Sequence, residues 1–410
     1  MGAGPRGPRA MIKGTSLYCY AWDLVGAAGR ANRSVIDSLG LDGTTLATSY
    51  HAGKFIRPGS LTGKVIFPED GTIYFRPRRK YGELQPMVSQ VTLAEDVLAS
   101  LTEAGRHRVY GWTVLLHNTR LGYVHPGVVA RNAWGDPAFY SLCPAQPLVR
   151  DYAVSLCGDL AEHYDLAGLT LETPGFLPFV HGYHHEFAQL PGNPWMNVLL
   201  GLCFCDACMA GAAKAGIDSA SIARRLKDAV HGYMMSAATV PDDMAVHWLV
   251  SDLVLDPEFG AFLRWRCQVV TSLVQAIRQD VRPAVRVAVI PSVQRPSALA
   301  WSEGTDLAAL VKHCDGLEIP FYEADPARLS ADVLDCRRRA GPDAAISAIL
   351  RPGHPDMASE AELQSSISTL LGQGVQHFSF YNFGLLRPHN LDWIRSAAAT
   401  LSAAAREARP

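Results

Sequence analysis

The feature that most constrains the fold of this chain is the alternation of short apolar segments with amphipathic ones. Eight segments rich in β-branched and aromatic residues resemble strands: residues 14–22, 44–51, 109–118, 168–175, 285–293, 316–323, 344–353 and 377–386. Stretches with helical spacing lie between several of them, such as TLAEDVLASLTEAG and FLRWRCQVVTSLVQAIRQDV. Parallel strands that alternate with helices and are buried on both faces predict an α/β fold of the (β/α)8 TIM barrel type. The alternative is an open doubly wound sheet.

The length of the chain predicts an insertion in this barrel. A typical barrel takes about 250 residues, whereas the chain has 410. Most of the surplus lies between the fourth and fifth strand segments, in residues 174–284. We therefore expect residues 12–410 to form a single domain, in which residues 174–284 are a loop and helical excursion after strand 4. Residues 1–11 are expected to be a flexible N-terminal tail.

Composition and charge restrict the class of partner. Hydrophobic residues make up 48% of the chain and charged residues 19%, which is typical of a globular protein with a large core. The formal net charge is -2 and the two signs are mixed, so no basic face for nucleic acid or an anionic membrane is expected. No apolar stretch reaches about 18 residues, and no signal-peptide pattern follows the N-terminal arginines. We expect a cytoplasmic, soluble protein with a small-molecule partner, and homo-oligomerisation is left open.

The candidate site residues lie where the strand segments end, because barrels of this type carry their chemistry at the C-terminal ends of the strands. These ends supply Tyr20, Trp22, Asp23, Tyr50, His51, His117, Asn118, Glu172, Glu318, Tyr322, Glu323, Arg351, Tyr381 and Asn382. Aromatic faces cover the C–H faces of a sugar while polar groups bind its hydroxyls. The strand ends carry no GxGxxG, Walker or GxSxG motif, which disfavours nucleotide cofactors and serine hydrolases. The pattern predicts a carbohydrate site.

A cluster of cysteines suggests a metal site. The segment CFCDAC places Cys203, Cys205 and Cys208 within six residues, although the whole chain has nine cysteines. Thiolates at this spacing can share one tetrahedral zinc at about 2.3 Å each, which leaves one position for a fourth ligand. The upstream segment YSLCPAQPLVRDY offers Cys143. We predict that these four cysteines converge; the alternative is three small buried side chains at the start of a helix.

The order of these motifs resembles that of the family forty-two β-galactosidases of the glycoside hydrolases. Those barrels carry a Tyr-x-Cys-Pro segment and a Pro-x-x-Arg helix start ahead of the fourth strand. The acid/base residue and a clustered C-x-C-x-x-C then follow. Here the order is Cys143, Glu172 and the cysteine cluster, within about residues 100–210. Residues 147–172 also look like the helix-to-strand unit of broader glycosidase-like barrels. The resemblance implies a structural zinc and a glycosidase with Glu172 as its acid/base.

Glu172 is the first candidate for catalysis on its own surroundings as well. Leu171 and Pro174 provide an apolar frame that can raise the pKa of the carboxyl and keep it protonated as a general acid. The alternative is a carboxylate that caps a helix or bonds a loop. The resemblance is incomplete at this point, because the family places Asn directly before the acid/base and this sequence has Leu171.

The second carboxylate is less well defined. A retaining glycosidase needs one at about 5–5.5 Å from the first; the family supplies it from strand 7, where this sequence has Arg351. Glu318 on strand 6 is the preferred replacement, and an inverting mechanism with a separation of about 6.5–9.5 Å stays open. Arg351 suits either an anionic substrate group or a salt bridge to Glu318 or Glu323.

Two other function classes remain open. The absence of an acid on strand 7 is compatible with a non-catalytic sugar-binding barrel. His181, His184, His185 and Glu186 in FVHGYHHEF could instead bind a catalytic metal, as in a metal-dependent sugar isomerase, epimerase or lyase.

Overall fold

Eight parallel strands form the centre of the protein in the computed structural model, which describes residues 13–181, 183 and 186–407. The strands are β1 Gly14–Cys19, β2 Gly43–Tyr50, β3 Arg108–Val114, β4 Gly168–Glu172, β5 Arg286–Val289, β6 Gly316–Pro320, β7 Ile346–Leu350 and β8 His377–Phe380. Each strand pairs with its neighbours along the chain, and β1 pairs with both β2 and β8. The sheet is therefore closed, so the predicted (β/α)8 barrel is confirmed and the open sheet is wrong. The predicted tail, residues 1–11, lies outside the described residues.

Helices surround the barrel and fill the connections between its strands. Those in the described residues are α1 Ala21–Leu24, α2 Gly26–Asp37, α3 Gln90–Ala94, α4 Val97–Ala104, α5 Thr119–Val124, α6 Pro147–His163, α7 Pro194–Leu200, α8 Asp206–Lys214, α9 Ser219–Met235, α10 Asp242–Leu255, α11 Pro257–Asp280, α12 Leu307–Leu310, α13 Pro326–Ala340, α14 Glu360–Gly372 and α15 Pro388–Glu407. No described helix is both long and apolar enough to cross a membrane.

Short strands and 3-10 turns complete the connections. The short strands are Phe55–Ile56, Val65–Ile66, Thr72–Ile73, Met87–Val88, Val129–Arg131 and Pro137–Leu142, and the 3-10 turns are Ser297–Glu303 and Phe383–Leu385. Helix starts follow local sequence rules: α11 has Pro257 in its first turn, and the side chain of Asp256 accepts the hydrogen bond of the Phe259 amide. Such a cap satisfies an amide that has no partner inside the helix.

The barrel interior is layered because side chains alternate between its two faces. A layer of hydroxyl groups lies halfway along the strands, where Ser16 bonds Thr45 at 2.8 Å and Ser379 at 3.0 Å between hydroxyl oxygens. The next inward position along a strand lies two residues further on, about 6.6 Å closer to the mouth. Thr170 thus belongs to the hydroxyl layer, while Glu172 on the same strand reaches the mouth.

The long connection between β4 and β5 carries α7 to α11. Helix α11 packs on α6 in the ring around the barrel. The preceding helices pack in a second hydrophobic cluster that includes Trp195, Leu226, Phe262 and the four predicted cysteine ligands. That residues 12–410 form one domain, with 174–284 as a loop and helical excursion after strand 4, stays a prediction.

Candidate active site and cysteine cluster

A cavity lies at the C-terminal ends of the barrel strands. It is lined by Tyr18, Tyr50, His51, Trp112, Glu172, His181, Ile290, Val293, Pro320, Tyr322, Ile349, Arg351 and Tyr381. The lining residues come from every barrel strand or the loop that directly follows it. The closed sheet therefore brings together side chains that are far apart in sequence.

Glu172 is the carboxylate of this cavity. Protein atoms enclose its side chain except where it borders the cavity, and the indole Nε1 of Trp112 donates a hydrogen bond of 2.5 Å to its Oε2. Desolvation raises the pKa of Glu172 to about 7, although the Trp112 bond opposes this by favouring the charged form. A carboxyl that holds its proton close to neutral pH is suited to general acid catalysis.

Tyrosines form a connected group beside Glu172. The hydroxyl of Tyr20 bonds the hydroxyl of Tyr381 at 2.8 Å and donates to that of Tyr50 at 3.1 Å. Burial raises the pKa of Tyr50 and Tyr381, and the nearby Glu172 contributes to both shifts. These phenols therefore stay protonated and offer hydroxyl groups and ring faces to a ligand, as carbohydrate recognition requires.

Tyr18 and Trp112 also line the cavity, although they were absent from the sequence-based candidates. Both lie within strands, one residue before the end of β1 and two residues before the end of β3. Their rings meet edge to face, with centroids 5.1 Å apart. The period of two along each strand is the sequence signal that could have found them, because it places them on the inner face just below the mouth.

Three histidines adjoin the cavity on one side. The rings of His51 and His117 are stacked with centroids 3.9 Å apart, and His181 meets His117 edge to face at 5.8 Å. Burial lowers the pKa of His181, which favours its neutral form. His51 and His181 line the cavity, whereas His117 is buried behind them. The other two histidines of the predicted cluster, 184 and 185, lie outside the described residues.

Arg351 has a different partner from those predicted. Its guanidinium lies 4.3 Å from the centre of the Tyr322 ring and pairs with both carboxylate oxygens of Asp356, with a distance of 3.0 Å from Nη2 to Oδ1. The predicted salt bridge to Glu318 or Glu323 is therefore wrong. Glu323 instead pairs with Arg328 at 2.5 Å. Because Asp356 compensates its charge, Arg351 is less suited to an anionic substrate group than a free guanidinium would be.

Glu318 must be corrected as the second carboxylate at the mouth. It is only 4% exposed and lies in the hydroxyl layer, where it accepts hydrogen bonds from Thr170 at 2.7 Å and Ser379 at 2.9 Å. The physical reason is its place in the middle of β6, two residues before the strand ends at Pro320. Glu318 faces inward, as predicted, but one layer below the cavity.

Asp23, Asn118 and Asn382 are likewise corrected, because none of them lines the cavity. Each follows a strand end, but its side chain bonds groups outside the cavity. The carboxylate of Asp23 lies in α1 and pairs with Arg57 at 2.7 Å. The side chain of Asn118 caps α5, and that of Asn382 caps the 3-10 turn Phe383–Leu385.

Glu303 is a buried carboxyl group at the end of the 3-10 turn Ser297–Glu303, and it was not among the sequence-based candidates. Ser292 donates a hydrogen bond of 2.5 Å to its Oε1, and the amide of Val293, which lines the cavity, donates to the same oxygen at 3.1 Å. Burial raises the pKa of Glu303 to about 7, and the charge of Glu172 adds to the shift. The side chain thus lies close to the cavity without lining it.

The four predicted cysteine ligands converge, so this prediction is confirmed. Their sulfur atoms are all buried and lie within 4.8 Å of one another. The sulfur of Cys143 lies 3.5 Å from that of Cys208, 3.6 Å from that of Cys205 and 3.8 Å from that of Cys203. Four sulfurs at about 2.3 Å from a tetrahedral zinc would be about 3.8 Å apart.

The surroundings of the cluster also suit a metal thiolate. The Arg131 amide donates to the sulfur of Cys203 at 3.4 Å, and the side-chain amide of Gln146 donates to that of Cys205 at 3.7 Å. Such donors stabilise anionic sulfur and orient it. The three cysteines of CFCDAC are therefore accompanied by a fourth cysteine and by these donors, an arrangement compatible with a metal site.

The fold defines the class of solved structures that the chain resembles. No protein-family model and no curated protein sequence matches this chain, but the barrel is shared with solved glycoside hydrolases. One is the PgaB (BpsB) glycoside hydrolase domain from Bordetella bronchiseptica, with a TM-score of 0.57 and 14% identity over 95% of this chain and 97% of that one.

Two further structures have the same fold. The catalytic domain of beta-amylase from Paenibacillus polymyxa has a TM-score of 0.54 and 9% identity over 97% of this chain and 99% of that one. The alpha-L-fucosidase isoenzyme 2 from Paenibacillus thiaminolyticus has a TM-score of 0.53 and 11% identity, over 95% of this chain and 49% of that one. At these identities the similarity concerns the fold.

Proposed function

We propose that this protein is a glycoside hydrolase-like enzyme in which Glu172 is the general acid. The observation that carries the proposal is the position of this carboxyl at the end of β4, in an aromatic cavity, with a pKa raised to about 7. At neutral pH such a group holds a proton for part of the population and can transfer it to a leaving oxygen. The fold shared with solved glycoside hydrolases supports the same class.

The proposed reaction is the cleavage of a glycosidic C–O bond. The ring faces of Tyr50, Trp112 and Tyr322 would pack on the substrate, with His51 and Tyr381 bonding its hydroxyls. Glu172 gives its proton to the leaving oxygen as the bond breaks, and the oxygen of a water molecule bonds to the anomeric carbon. The Trp112 indole then stabilises the carboxylate that is left. The proton that this water loses passes through solvent and restores the acid form of Glu172.

The second catalytic role passes from Glu318 to water or to a group of the substrate itself. Glu172 is the carboxylate among the described residues that line the cavity. In the connection that follows β4, the residues outside the described part are Gly182, His184 and His185. None of these three has a carboxylate. Some glycosidase families likewise use the substrate as nucleophile.

The same observation favours a second candidate, a sugar-binding barrel without turnover. An aromatic cavity with one carboxylate can hold a sugar through ring stacking and hydrogen bonds alone. Glu172 then acts as a hydrogen-bonding group for a sugar hydroxyl.

We further propose that the cysteine cluster holds a structural zinc ion. Cys143, Cys203, Cys205 and Cys208 supply a full set of four thiolates, which leaves no open position for a water ligand. The ion would cross-link the chain before α6 to the chain around α8. It has no part in the proposed proton transfer.

Turnover of a panel of aryl glycosides by the wild type and Glu172→Gln tests the function. We expect Glu172→Gln to lower turnover by about 10²–10⁴-fold, because it removes the transferable proton. Glu162→Gln is the control, because Glu162 lies on α6, away from the cavity, and pairs with Arg79. Equal turnover by the wild type and Glu172→Gln would remove Glu172 from the mechanism.

Two other outcomes would select the alternatives. Sugar binding by the wild type without turnover of any substrate would establish the binding barrel. Turnover that a chelator abolishes while the cysteine-bound zinc remains would indicate the metal-dependent isomerase or lyase.

A further inference from the structure

Arg266 is a buried cation without a visible counter-charge. It lies in the first half of α11 and is 0% exposed. Within the described part of the chain, none of its three guanidinium nitrogens has a hydrogen-bond partner. The guanidinium lies over the Phe176 ring, with Cζ 4.3 Å from the ring centre. A ring face compensates a buried guanidinium only in part, because it satisfies none of the N–H donors.

The cysteine cluster is the neighbour that can supply the missing charge. Burial lowers the pKa of Arg266, and negative charge on Cys267, Cys208, Cys203 and Cys143 opposes this shift. Phe176, which the guanidinium covers, belongs to the same hydrophobic cluster as the four predicted ligands. Arg266 and the sulfur atoms are thus buried in the same part of the protein.

We infer that Arg266 is the counter-cation of the metal-loaded cluster, an inference that depends on the proposed zinc. Four thiolates around a divalent ion carry two negative charges in total, and burying them without compensation is strongly unfavourable. The buried guanidinium offsets one of these charges by its own positive charge. Four neutral thiols would leave Arg266 without a counter-charge, so metal loading and burial of Arg266 stabilise each other.

Arg266 is therefore a positioning residue of the metal site, and it connects that site with the barrel mouth. Phe176 follows β4 closely, and its amide donates a hydrogen bond of 2.9 Å to the carbonyl of Glu303. The guanidinium covers the ring of Phe176, which belongs to the same buried cluster as the four cysteines. On this inference, the metal site and the chain just after Glu172 are coupled through Arg266 and Phe176.

The experiment compares metal retention in the wild type, Arg266→Met and Arg266→Lys. Arg264→Met is the matched control, because Arg264 lies on the same helix and is exposed. Each protein is loaded with zinc, and transfer of the metal to a chromogenic chelator is followed. Outer-shell partners commonly contribute 10–100-fold to metal affinity, so we expect Arg266→Met to lose zinc at least about tenfold faster than the wild type. Arg266→Lys should fall between them, and Arg264→Met should match the wild type.

Cobalt substitution gives a second readout that does not depend on a well-folded Met variant. Co²⁺ bound by four thiolates has intense sulfur-to-metal absorption, and we expect Arg266→Lys to shift this band because the positive charge near the thiolates changes position. A wild-type tetrathiolate spectrum, together with unchanged zinc release and an unchanged band in both Arg266 variants, would overturn the role of Arg266 alone. Wild type that forms no tetrathiolate complex with either metal would overturn the zinc proposal and this inference together.

Discussion

The raised pKa of Glu172 predicts that this one side chain makes the stability of the protein depend on pH. Its pKa is raised from 4.5 to about 7 because the enclosed carboxyl is desolvated. The folded state therefore binds the proton more tightly than the unfolded state. Its stabilising contribution is complete below about pH 4.5 and is lost as the pH rises through 7. At about 1.4 kcal/mol for each pH unit, the loss amounts to about 3 kcal/mol. This is an upper value, because one side of the carboxyl borders the cavity.

Glu172→Gln isolates this contribution, because glutamine does not titrate. The free energy of unfolding is measured by urea denaturation at intervals from pH 4 to pH 8 for the wild type and the variant. We expect the difference between the two to change by up to about 3 kcal/mol in favour of the variant as the pH rises through this window. Glu303 titrates in the same range but is present in both proteins, so its own contribution largely cancels.

The control for this measurement is Glu103→Gln, which removes a carboxylate from the exposed side of α4. The free energy of unfolding of Glu103→Gln should differ from that of the wild type by a nearly constant amount between pH 4 and pH 8. A constant difference for Glu172→Gln as well would refute the reasoning, because it would mean that Glu172 has the same pKa in the folded and unfolded states.

Three further predictions concern groups whose roles the structure assigns locally. Asn118→Ala should lower the free energy of unfolding by about 1 kcal/mol in urea denaturation, because it removes the cap of α5; Asn118→Asp should keep most of it. Arg57→Met should raise the pKa of Asp23 above its present value of about 6. The substitution should therefore lower the free energy of unfolding by an amount that grows as the pH rises past 6, measured by the same urea denaturation. A decrease independent of pH would contradict this. Cys205→Ser should lower the melting temperature of zinc-loaded protein, whereas Cys314→Ser, outside the cluster, should do so far less.

The features that could be predicted from the sequence depend on local patterns with a fixed period. The eight strand segments were recognisable because parallel barrel strands are buried on both faces and contain β-branched and aromatic residues. The grouping of Cys203, Cys205 and Cys208 followed from their spacing, and Cys143 was added because its Tyr-x-Cys-Pro segment resembles that of the family forty-two β-galactosidases. Glu172 was found at the mouth because its strand segment was placed correctly. It is the last residue of β4, at a position whose side chain faces the barrel interior.

The errors arise where a side chain's direction or partner depends on the tertiary structure. The third strand segment was expected to reach residue 118 but ends at Val114, so Asn118 had already left the sheet to cap a helix. The side chain of Glu318 faces the barrel interior, as expected, but it lies in the hydroxyl layer below the mouth. The pairing of Asp23 joins α1 to Arg57 in the connection after β2, and no local pattern could have indicated it.

The proposed zinc has a structural consequence for the chain that follows Glu172, and this yields the last prediction. The cysteine cluster brings the chain ahead of α6 next to the chain around α8. The segment between Glu172 and Cys203 contains Phe176, whose ring is covered by the Arg266 guanidinium. The aromatic residues Phe179, Tyr183 and Phe187 of this segment are exposed. Removal of zinc by a chelator should loosen the segment, and chymotrypsin should then cleave after these residues faster, as mapped by mass spectrometry. Phe67 is an internal control, because it is 70% exposed in the connection between β2 and β3, which supplies no ligand to the cluster. An equal acceleration at Phe67 would mean that the metal stabilises the whole barrel, and unchanged cleavage after all four residues would mean that the cluster does not hold this segment in place.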